Sequence, residues 1–334
     1  MYSFQKLLII AEIGSVHDGS FGNACKLVEL AAECGASAVK FQLHDPENET
    51  LIDAPNPPYF KGENRFQYFK RTSFSIEQLK KLKQLANKLK LKFIVSPFSI
   101  QAAKKLNKIG VDGFKIASGE LSNHPMLNFI SGTKKYIFLS TGMSNWKEIN
   151  DAMKIFRENK KKLTILQCTS QYPCEPKNVG INILEELKKY KCDIGLSDHT
   201  EGYAASISAI ANGCNVIEKH ITFSKKMYGS DAKHSMEPQD FKIFCKEIKE
   251  SYLINNSKVN KDNLNHLKKM RLIFQKSIYI AKDLKKGSKL SIECMAFLKP
   301  GNGILASDYK KIVGKTINKN LKKNHRLRMK DFIK

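Results

Sequence analysis

The strict alternation of short apolar runs with longer amphipathic segments is the feature that most constrains the fold of this chain. Eight β-rich runs occur at 7–14, 38–43, 92–98, 113–119, 136–142, 163–169, 193–199 and 216–222. Segments with helical spacing follow them at 23–35, 75–91, 100–110, 125–131, 146–160, 182–191, 203–213 and 239–253. Eight strand–helix units over about 250 residues predict an α/β fold, a (β/α)8 TIM barrel.

A doubly wound open sheet is the alternative arrangement for such units. No glycine-rich dinucleotide fingerprint follows the first apolar run, and eight even repeats favour closure. In a closed barrel, the functional groups lie at the C-terminal ends of the strands. Polar residues at those positions are therefore the candidates for function.

The composition changes near residue 254, which suggests a second domain. Residues 255–269 are rich in Asn and Lys and are interpreted as a linker. Beyond them, 277–281, 295–297 and 315–317 are strand-like runs separated by turn sequences. We expect a barrel domain at 1–254, a linker at 255–269 and a small β-rich domain at 270–334.

The chain is strongly basic, with 57 Lys+Arg against 32 Asp+Glu and a formal net charge of +25. The excess is concentrated in residues 254–334, and a basic tail can bind nucleic acid or an acidic membrane surface. However, most of the cations are lysine, whereas arginine is the residue that grips phosphates bidentately. The aromatic residues of the tail form no stacking pattern. We expect neither a nucleic-acid nor a membrane partner.

The cysteines and the N-terminus bear on the compartment. None of the 8 cysteines forms a Cys-x-x-Cys pair, which argues against a zinc knuckle or a thioredoxin-like motif. The N-terminus lacks the pattern of a secretory signal, and no segment approaches 18 consecutive apolar residues. These features predict a soluble, cytoplasmic protein.

Two histidines close neighbouring strands of the predicted barrel. His199 ends the seventh run and His220 lies near the end of the eighth, so both imidazoles can face one metal ion. Neutral imidazoles suit a divalent ion such as Mn²⁺ or Zn²⁺. Either histidine alone could equally be a hydrogen-bonded structural residue.

Lysines and serines at other strand ends predict an anion site. Lys40 and Lys115 lie in apolar strands, where an outward-facing ammonium would be desolvated without a partner. We expect both to point to the mouth and bind an anion, with Schiff-base chemistry as the rival use. Hydroxyl groups that could complete a phosphate cradle come from Ser96, Ser118 and Ser197.

The carboxylates near the mouth are candidate acid–base and sugar-binding groups. Glu12 and Glu120 each follow an apolar strand and could act as general acid or base. Asp198 could orient an imidazole or cap a helix. Asp231 lies in a loop before the last helix, where it could bind a sugar hydroxyl or merely be solvated.

An ordered series of short motifs resembles the sialic acid synthase family across essentially the whole chain. The motifs are Glu12-Ile-Gly, His17-Asp-Gly, Val39-Lys-Phe-Gln42, Ser96-Pro-Phe-Ser, Phe114-Lys-Ile-Ala-Ser-Gly-Glu120, Ser140-Thr-Gly-Met143, Cys168-Thr-Ser-Gln-Tyr-Pro173, Leu196-Ser-Asp-His-Thr200 and Glu218-Lys-His220. The segments Leu284-Lys-Lys-Gly287 and Lys299-Pro-Gly-Asn-Gly303 resemble the antifreeze-like (SAF, β-clip) domain that follows the barrel in that family.

The resemblance implies condensation of phosphoenolpyruvate with an open-chain N-acetylmannosamine-type aldose, giving a nine-carbon 2-keto-3-deoxy acid and phosphate. It implies His199 and His220 as ligands of a divalent metal, Mn²⁺ first and Mg²⁺ or Co²⁺ as other possibilities. The implied phosphoenolpyruvate contacts are Lys40, Ser96, Lys115, Ser118, Ser170 and Ser197. The implied contacts to the sugar are Gln42, Glu120, Tyr172 and Asp231. The catalytic proton carrier is Glu12 or Glu120, with no choice made between them.

The resemblance also implies a domain-swapped homodimer, in which Lys299 of one chain reaches the partner's substrate. Lys299 stands where these enzymes carry an arginine, and Ser96, Ser170 and Val16 replace a threonine and two asparagines. Because lysine lacks the planar fork of arginine, this departure bears on the acceptor sugar. The main expectation is an N-acetylneuraminate synthase, and the alternative is a legionaminate or pseudaminate synthase that uses a 6-deoxy-diacetamido hexose.

Overall fold

The eight apolar runs form eight parallel strands that close into a barrel in chain order. In this computed structural model, which describes residues 7–56 and 62–333, β1 pairs with both β2 and β8. The strands are β1 Leu8–Glu12, β2 Ala38–Leu43, β3 Lys92–Pro97, β4 Gly113–Ile116, β5 Tyr136–Ser140, β6 Leu163–Cys168, β7 Asp193–Asp198 and β8 Val216–His220. The predicted (β/α)8 barrel is confirmed.

Helices connect the strands, and several begin at a side-chain cap such as Ser20, Ser75, Ser99 or Asn145. In the described residues the α-helices are α1 Phe21–Glu33, α2 Pro46–Glu49, α3 Arg65–Thr72, α4 Ile76–Lys88, α5 Ile100–Ile109, α6 His124–Ser131, α7 Trp146–Ile155, α8 Ile183–Leu187, α9 Ala204–Ala211, α10 Pro238–Asn256 and α11 Lys268–Phe274. The short helices α2 and α3, between β2 and α4, were not predicted. In α3 only Tyr68 and Thr72 are buried, so no apolar stripe marks it in the sequence.

The barrel interior is filled by an apolar layer near the N-terminal ends of the strands. This layer consists of Leu8, Ile10, Ala38, Ile94, Phe138, Leu166 and Val216. Because side chains alternate along a strand, residues two or four positions further on also point inward, toward the C-terminal mouth. At Gly195 a Cβ atom would lie 2.6 Å from Leu166 Cδ2 and would also collide with the Val216 carbonyl, so only glycine fits there.

Residues Lys258–Lys334 form a second compact unit with its own apolar core, separate from Met1–Ser257. The boundary between the two units, at Ser257 and Lys258, falls within the predicted linker at 255–269. Antiparallel strands β9 Ser277–Ile280 and β10 Met295–Leu298 pair with Met295 opposite Ile280. The third predicted run, 315–317, makes isolated bridges instead of a strand, from Thr316 to Lys289 and from Ile317 to Phe332. The predicted small β-rich domain after the barrel is confirmed.

Two observations concern membranes and redox chemistry. Among the helices that the structure describes, none combines the length and the apolar character needed to cross a bilayer. The 8 cysteines are free thiols.

Candidate active site

A cavity of about 500 Å³ opens at the C-terminal ends of the barrel strands. The predicted catalytic, substrate-binding and metal-binding residues of the barrel all line it: Glu12, Lys40, Gln42, Ser96, Lys115, Ser118, Glu120, Ser170, Tyr172, Ser197, His199, His220 and Asp231. The remaining one, Lys299, lies in the second unit, with its Nζ 5.0 Å from the centroid of the Phe274 ring. Its predicted contact with a partner's substrate stays a prediction.

A buried cluster of four charged side chains forms the inner part of the cavity. Glu218 Oε1 lies 2.9 Å from Lys115 Nζ and 3.3 Å from Lys40 Nζ, and Glu12 Oε2 lies 3.2 Å from Lys40 Nζ. The Ser197 hydroxyl donates a hydrogen bond of 2.8 Å to the same Glu218 oxygen. All four residues are 4% exposed or less, so their charges are compensated by one another and not by water.

Burial and pairing move the pKa values of this cluster in different directions. Burial raises the pKa of Glu12 to about 7, although Lys40 opposes the shift. For Glu218 burial acts in the same upward direction, but Lys115 and Lys40 outweigh it and hold its pKa well below the ordinary value. Burial lowers the pKa of Lys115 despite its pairing with Glu218. Glu12 is therefore the member of the cluster that can exchange a proton near neutral pH.

Glu218 was missed as a site residue by the sequence analysis. A usable signal was present, because Glu218 and His220 are two positions apart on β8 and must share one face of the strand. Lys219, between them, points to the other face and pairs with Asp198 at 3.0 Å. Asp198 also accepts hydrogen bonds from the Thr200 backbone and the Ser206 hydroxyl, so it tethers α9 and does not orient His199.

The two imidazoles face each other across the mouth, with 5.6 Å between the ring centroids of His199 and His220. His199 donates from Nδ1 to the Thr169 carbonyl at 3.0 Å, and its neutral form has a lone pair on Nε2. Burial acts to lower the pKa of His199, but the neighbouring Cys168 thiol outweighs it, so the pKa is raised. His220 Nδ1 is buried and has no hydrogen-bond partner among the described residues. Burial lowers the pKa of His220 to about 3, so this ring is neutral at pH 7.

A neutral imidazole with an unused buried nitrogen suits a metal ligand. Within residues 7–56 and 62–333, no group of three or more His, Cys, Asp or Glu side chains could hold an ion by itself. The two histidines would therefore be the residues that hold a divalent ion, which would act there as a Lewis acid.

The rim of the cavity carries polar groups suited to a sugar. The Tyr172 ring lies 4.2 Å from that of His199, and Asp231 Oδ2 accepts hydrogen bonds from the backbone and hydroxyl of Ser15. A Cβ atom at Gly14 would collide with this Asp231 carboxylate, and the φ of +53° there also favours glycine. Burial raises the pKa of Glu120, whose Oε2 accepts a hydrogen bond from Asn123.

Two serine hydroxyls in the cavity are buried without a hydrogen-bond partner among the described residues. These are Ser96, which the sequence predicted, and Ser140, which it did not single out. Unsatisfied buried donors are costly, and an anionic ligand would satisfy them. Several further lining residues were not predicted as site residues, among them His44, Arg65, Phe69 and Phe98.

Comparison with known proteins gives two domain matches. Residues 27–260 match the model described as the NeuB family, and residues 275–333 match the SAF domain. The N,N'-diacetyllegionaminic acid synthase of Campylobacter jejuni is 36% identical, covering 97% of this chain and 99% of that protein. The pseudaminic acid synthase of Helicobacter pylori is 32% identical over 97% of both chains.

A solved structure gives the same architecture. The N-acetylneuraminic acid synthetase of Leptospira borgpetersenii is 28% identical and superimposes with a TM-score of 0.70. The match covers 80% of this chain and 92% of that one.

Proposed function

This chain belongs to the NeuB family of phosphoenolpyruvate-using synthases, and we propose that it condenses phosphoenolpyruvate with an open-chain acetamido hexose. The products are a nine-carbon 2-keto-3-deoxy acid and phosphate. The observation that carries the proposal is the buried cluster of Lys40, Lys115, Glu218 and Glu12 beside the two histidines. The cluster brings two ammonium groups and a carboxyl group with a pKa of about 7 into the same cavity as two imidazoles, which supports the proposed roles of these residues.

The cluster is suited to a small phosphate ester. Two ammonium groups share one firmly ionised carboxylate, Glu218, so protonation of Glu12 leaves a net positive charge. An incoming phosphate or carboxylate would compensate this charge and accept hydrogen bonds from Ser96 and Ser140. Ser118, Ser170 and Ser197 line the same cavity and complete the proposed anion site.

For the acceptor, we favour a 6-deoxy-diacetamido hexose, with legionaminic or pseudaminic acid as the product. The main sequence-based expectation was N-acetylneuraminate, and the comparisons favour the alternative. The relatives at 36% and 32% identity, which match over 97% of this chain, are named legionaminic and pseudaminic acid synthases. In our proposal the sugar lies against Gln42, Glu120, Tyr172 and Asp231.

Different residues of this chain would bind the metal, hold the phosphate group and transfer the proton in the proposed reaction. When bound by His199 and His220, a divalent ion, Mn²⁺ in our proposal, supplies Lewis-acid polarisation of an aldehyde oxygen. Lys40, Lys115 and the serines hold the phosphate group while C3 of phosphoenolpyruvate forms the new bond to the aldehyde carbon. Water then adds to C2, and the tetrahedral intermediate breaks its C–O bond to release phosphate. Glu12 or Glu120 accepts a proton from that water and passes it to the former aldehyde oxygen, which becomes a hydroxyl. The remaining proton of the C2 hydroxyl leaves with phosphate as the 2-keto group forms.

Three further parts of the proposal concern assembly and location. The enzyme acts as a domain-swapped homodimer, and Lys299 of one chain reaches the sugar bound by the other. It works in the cytoplasm, where the thiols that the structure shows as free would remain reduced. Sedimentation of the protein at several concentrations tests the dimer, and a constant monomer mass would contradict it.

The decisive experiment incubates the protein with phosphoenolpyruvate, Mn²⁺ and a panel of aldoses, and measures phosphate release and product mass. The panel pairs 2,4-diacetamido-6-deoxy hexoses with N-acetylmannosamine. We expect the larger kcat/KM with a diacetamido sugar. If no sugar of the panel leads to phosphate release, the synthase proposal is contradicted. A larger kcat/KM with N-acetylmannosamine would instead favour an N-acetylneuraminate synthase. A borohydride-trapped adduct at Lys115 or Lys40 would support the rival Schiff-base chemistry.

A further inference from the structure

The imidazole of His44 is clamped between two phenylalanine rings on the wall of the cavity. Phe69 stacks on it with 3.6 Å between centroids and 6° between planes, and Phe98 with 4.2 Å and 14°. Two near-parallel rings at these distances must lie on opposite faces of the imidazole. Because His44 is only 8% exposed, its ring cannot tilt, and each nitrogen points to a defined neighbour.

A continuous hydrogen-bonded path connects this ring to Glu12. His44 Nδ1 lies 2.8 Å from Glu49 Oε1, and His44 Nε2 lies 3.0 Å from Gln42 Oε1. Gln42 Nε2 then donates to Glu12 Oε1 at 2.8 Å. Glu49 is itself fixed, because its second oxygen accepts the backbone N–H of Asp45 at 3.0 Å.

The chemistry of these partners decides which atoms carry protons. The Glu49 carboxylate and the Gln42 carbonyl oxygen are both acceptors, so both nitrogens of His44 must donate. A neutral ring protonated only at Nδ1 would instead accept from the Gln42 amide nitrogen. The Gln42 oxygen would then turn toward Glu12 Oε1, an arrangement that requires Glu12 to carry the proton. In the structure it is the Gln42 amide nitrogen that faces Glu12 and donates to Oε1 at 2.8 Å.

We propose that His44 is a positioning residue: as an imidazolium paired with Glu49, it holds the Gln42 amide with its nitrogen toward Glu12. The amide then fixes one oxygen of Glu12 and leaves the other beside Lys40, at 3.2 Å from Nζ. This inference rests on the proposed function only for its consequence in catalysis. The arrangement of protons is a property of the resting protein.

The other charged groups near the ring are consistent with this role for Glu49. Asp45 pairs with Lys105 at 2.7 Å, and the Arg65 guanidinium on α3 lies over Phe69, 5.5 Å from its centroid. Burial is the main reason that the pKa of His17 is lowered to about 4, so this neighbour is neutral at pH 7. Among the described residues, Glu49 is the carboxylate in ion-pair contact with His44.

The test variant is Glu49→Gln, which keeps the size of the side chain and an acceptor for Nδ1 but removes the charge. The matched control is Glu47→Gln, because Glu47 lies on the same helix α2, is exposed and pairs only at the surface with Lys70. We expect kcat of Glu49→Gln to fall roughly tenfold to a hundredfold, with KM for phosphoenolpyruvate unchanged. The control should keep wild-type values.

A second measurement does not depend on turnover. In ¹⁵N-histidine-labelled wild-type protein at neutral pH, both His44 nitrogens should give the signals of protonated imidazolium nitrogens. Glu49→Gln should give one protonated and one unprotonated nitrogen. Melting curves of the variants show whether they are folded.

The outcomes separate this inference from the proposed function. A singly protonated His44 in the wild type, or a folded Glu49→Gln enzyme with wild-type kcat, would overturn the positioning role. If the wild type makes no product with any sugar, the proposed function fails. The nitrogen signals would then still decide how the Gln42 amide is held.

Discussion

Lys115 and Glu218 are 103 positions apart in the chain, yet Nζ of the first lies 2.9 Å from Oε1 of the second deep in the barrel mouth. The same Glu218 oxygen also forms an ion pair with Lys40, whose Nζ lies 3.3 Å away. One carboxylate therefore allows two ammonium groups to be buried side by side, at a place where either alone would be strongly disfavoured.

Replacing this shared carboxylate should destabilise the protein. In Glu218→Gln, Lys115 loses its ion-pair partner and Lys40 keeps only Glu12, so we expect the free energy of unfolding to fall by about 3 to 5 kcal/mol. Urea denaturation measures this change. Glu250→Gln, on an exposed position of α10, is the control and should stay within about 0.5 kcal/mol of wild type. Equal stability of the two variants would contradict the role of Glu218.

The raised pKa of Glu12 makes stability depend on pH. Its folded pKa of about 7 exceeds the ordinary value of 4.5, so between these pH values the native state holds a proton that the unfolded state releases. Stability contributed by this group is present below pH 4.5 and is lost as pH rises to 7, by up to about 3 kcal/mol. The difference in unfolding free energy between wild type and Glu12→Gln should show this fall. A difference independent of pH would be evidence against it.

Removal of either metal-ligand candidate should abolish metal binding. We expect His199→Ala and His220→Ala each to lose Mn²⁺ binding in a calorimetric titration. Phosphate release should drop roughly a thousandfold, because Lewis-acid assistance is worth several kcal/mol. His124→Ala, at the exposed start of α6, is the matched control and should bind Mn²⁺ as the wild type does. Undiminished Mn²⁺ affinity in either site variant would exclude that residue as a ligand.

The close packing at Gly195 predicts a strong effect of one methyl group. In Gly195→Ala the new Cβ would meet Leu166 Cδ2 at 2.6 Å as well as the Val216 carbonyl, so strands must separate. We expect a loss of about 1 to 3 kcal/mol in unfolding free energy. Gly202→Ala is the control, since nothing lies within 4 Å of the atom it adds. A Gly195→Ala protein as stable as this control would show that the barrel accommodates the methyl group.

The sequence predicted the barrel well because the physics of a strand is local. An inward-facing position repeats every second residue, so Lys40, Gln42 and Ser96 could be assigned to the mouth once their strands were recognised. The pairing of particular charges depends on which strands become neighbours in space. That explains why the pairing of Lys115 with Glu218 was not predicted, although the spacing of Glu218 and His220 on β8 already indicated that both face the mouth.

The segment between β2 and α4 was not predictable in the same way. Helices α2 and α3 are short and largely exposed, so neither carries the apolar periodicity by which helices are recognised. The positions of Phe69 and Phe98 around His44 depend on how this segment folds against the barrel. Contacts of that kind are set by tertiary packing and leave no local pattern in the sequence.

The apolar layer formed by Leu8, Ile10, Phe138 and their neighbours closes the barrel below the charged cluster. Substrates and products must therefore enter and leave the cavity through the same opening, at the C-terminal mouth. In the proposed reaction, phosphoenolpyruvate at the lysines would lie deeper than the sugar at the rim. It must therefore enter first, and phosphate can leave only after the nine-carbon product has moved aside. Steady-state kinetics should accordingly follow a compulsory order.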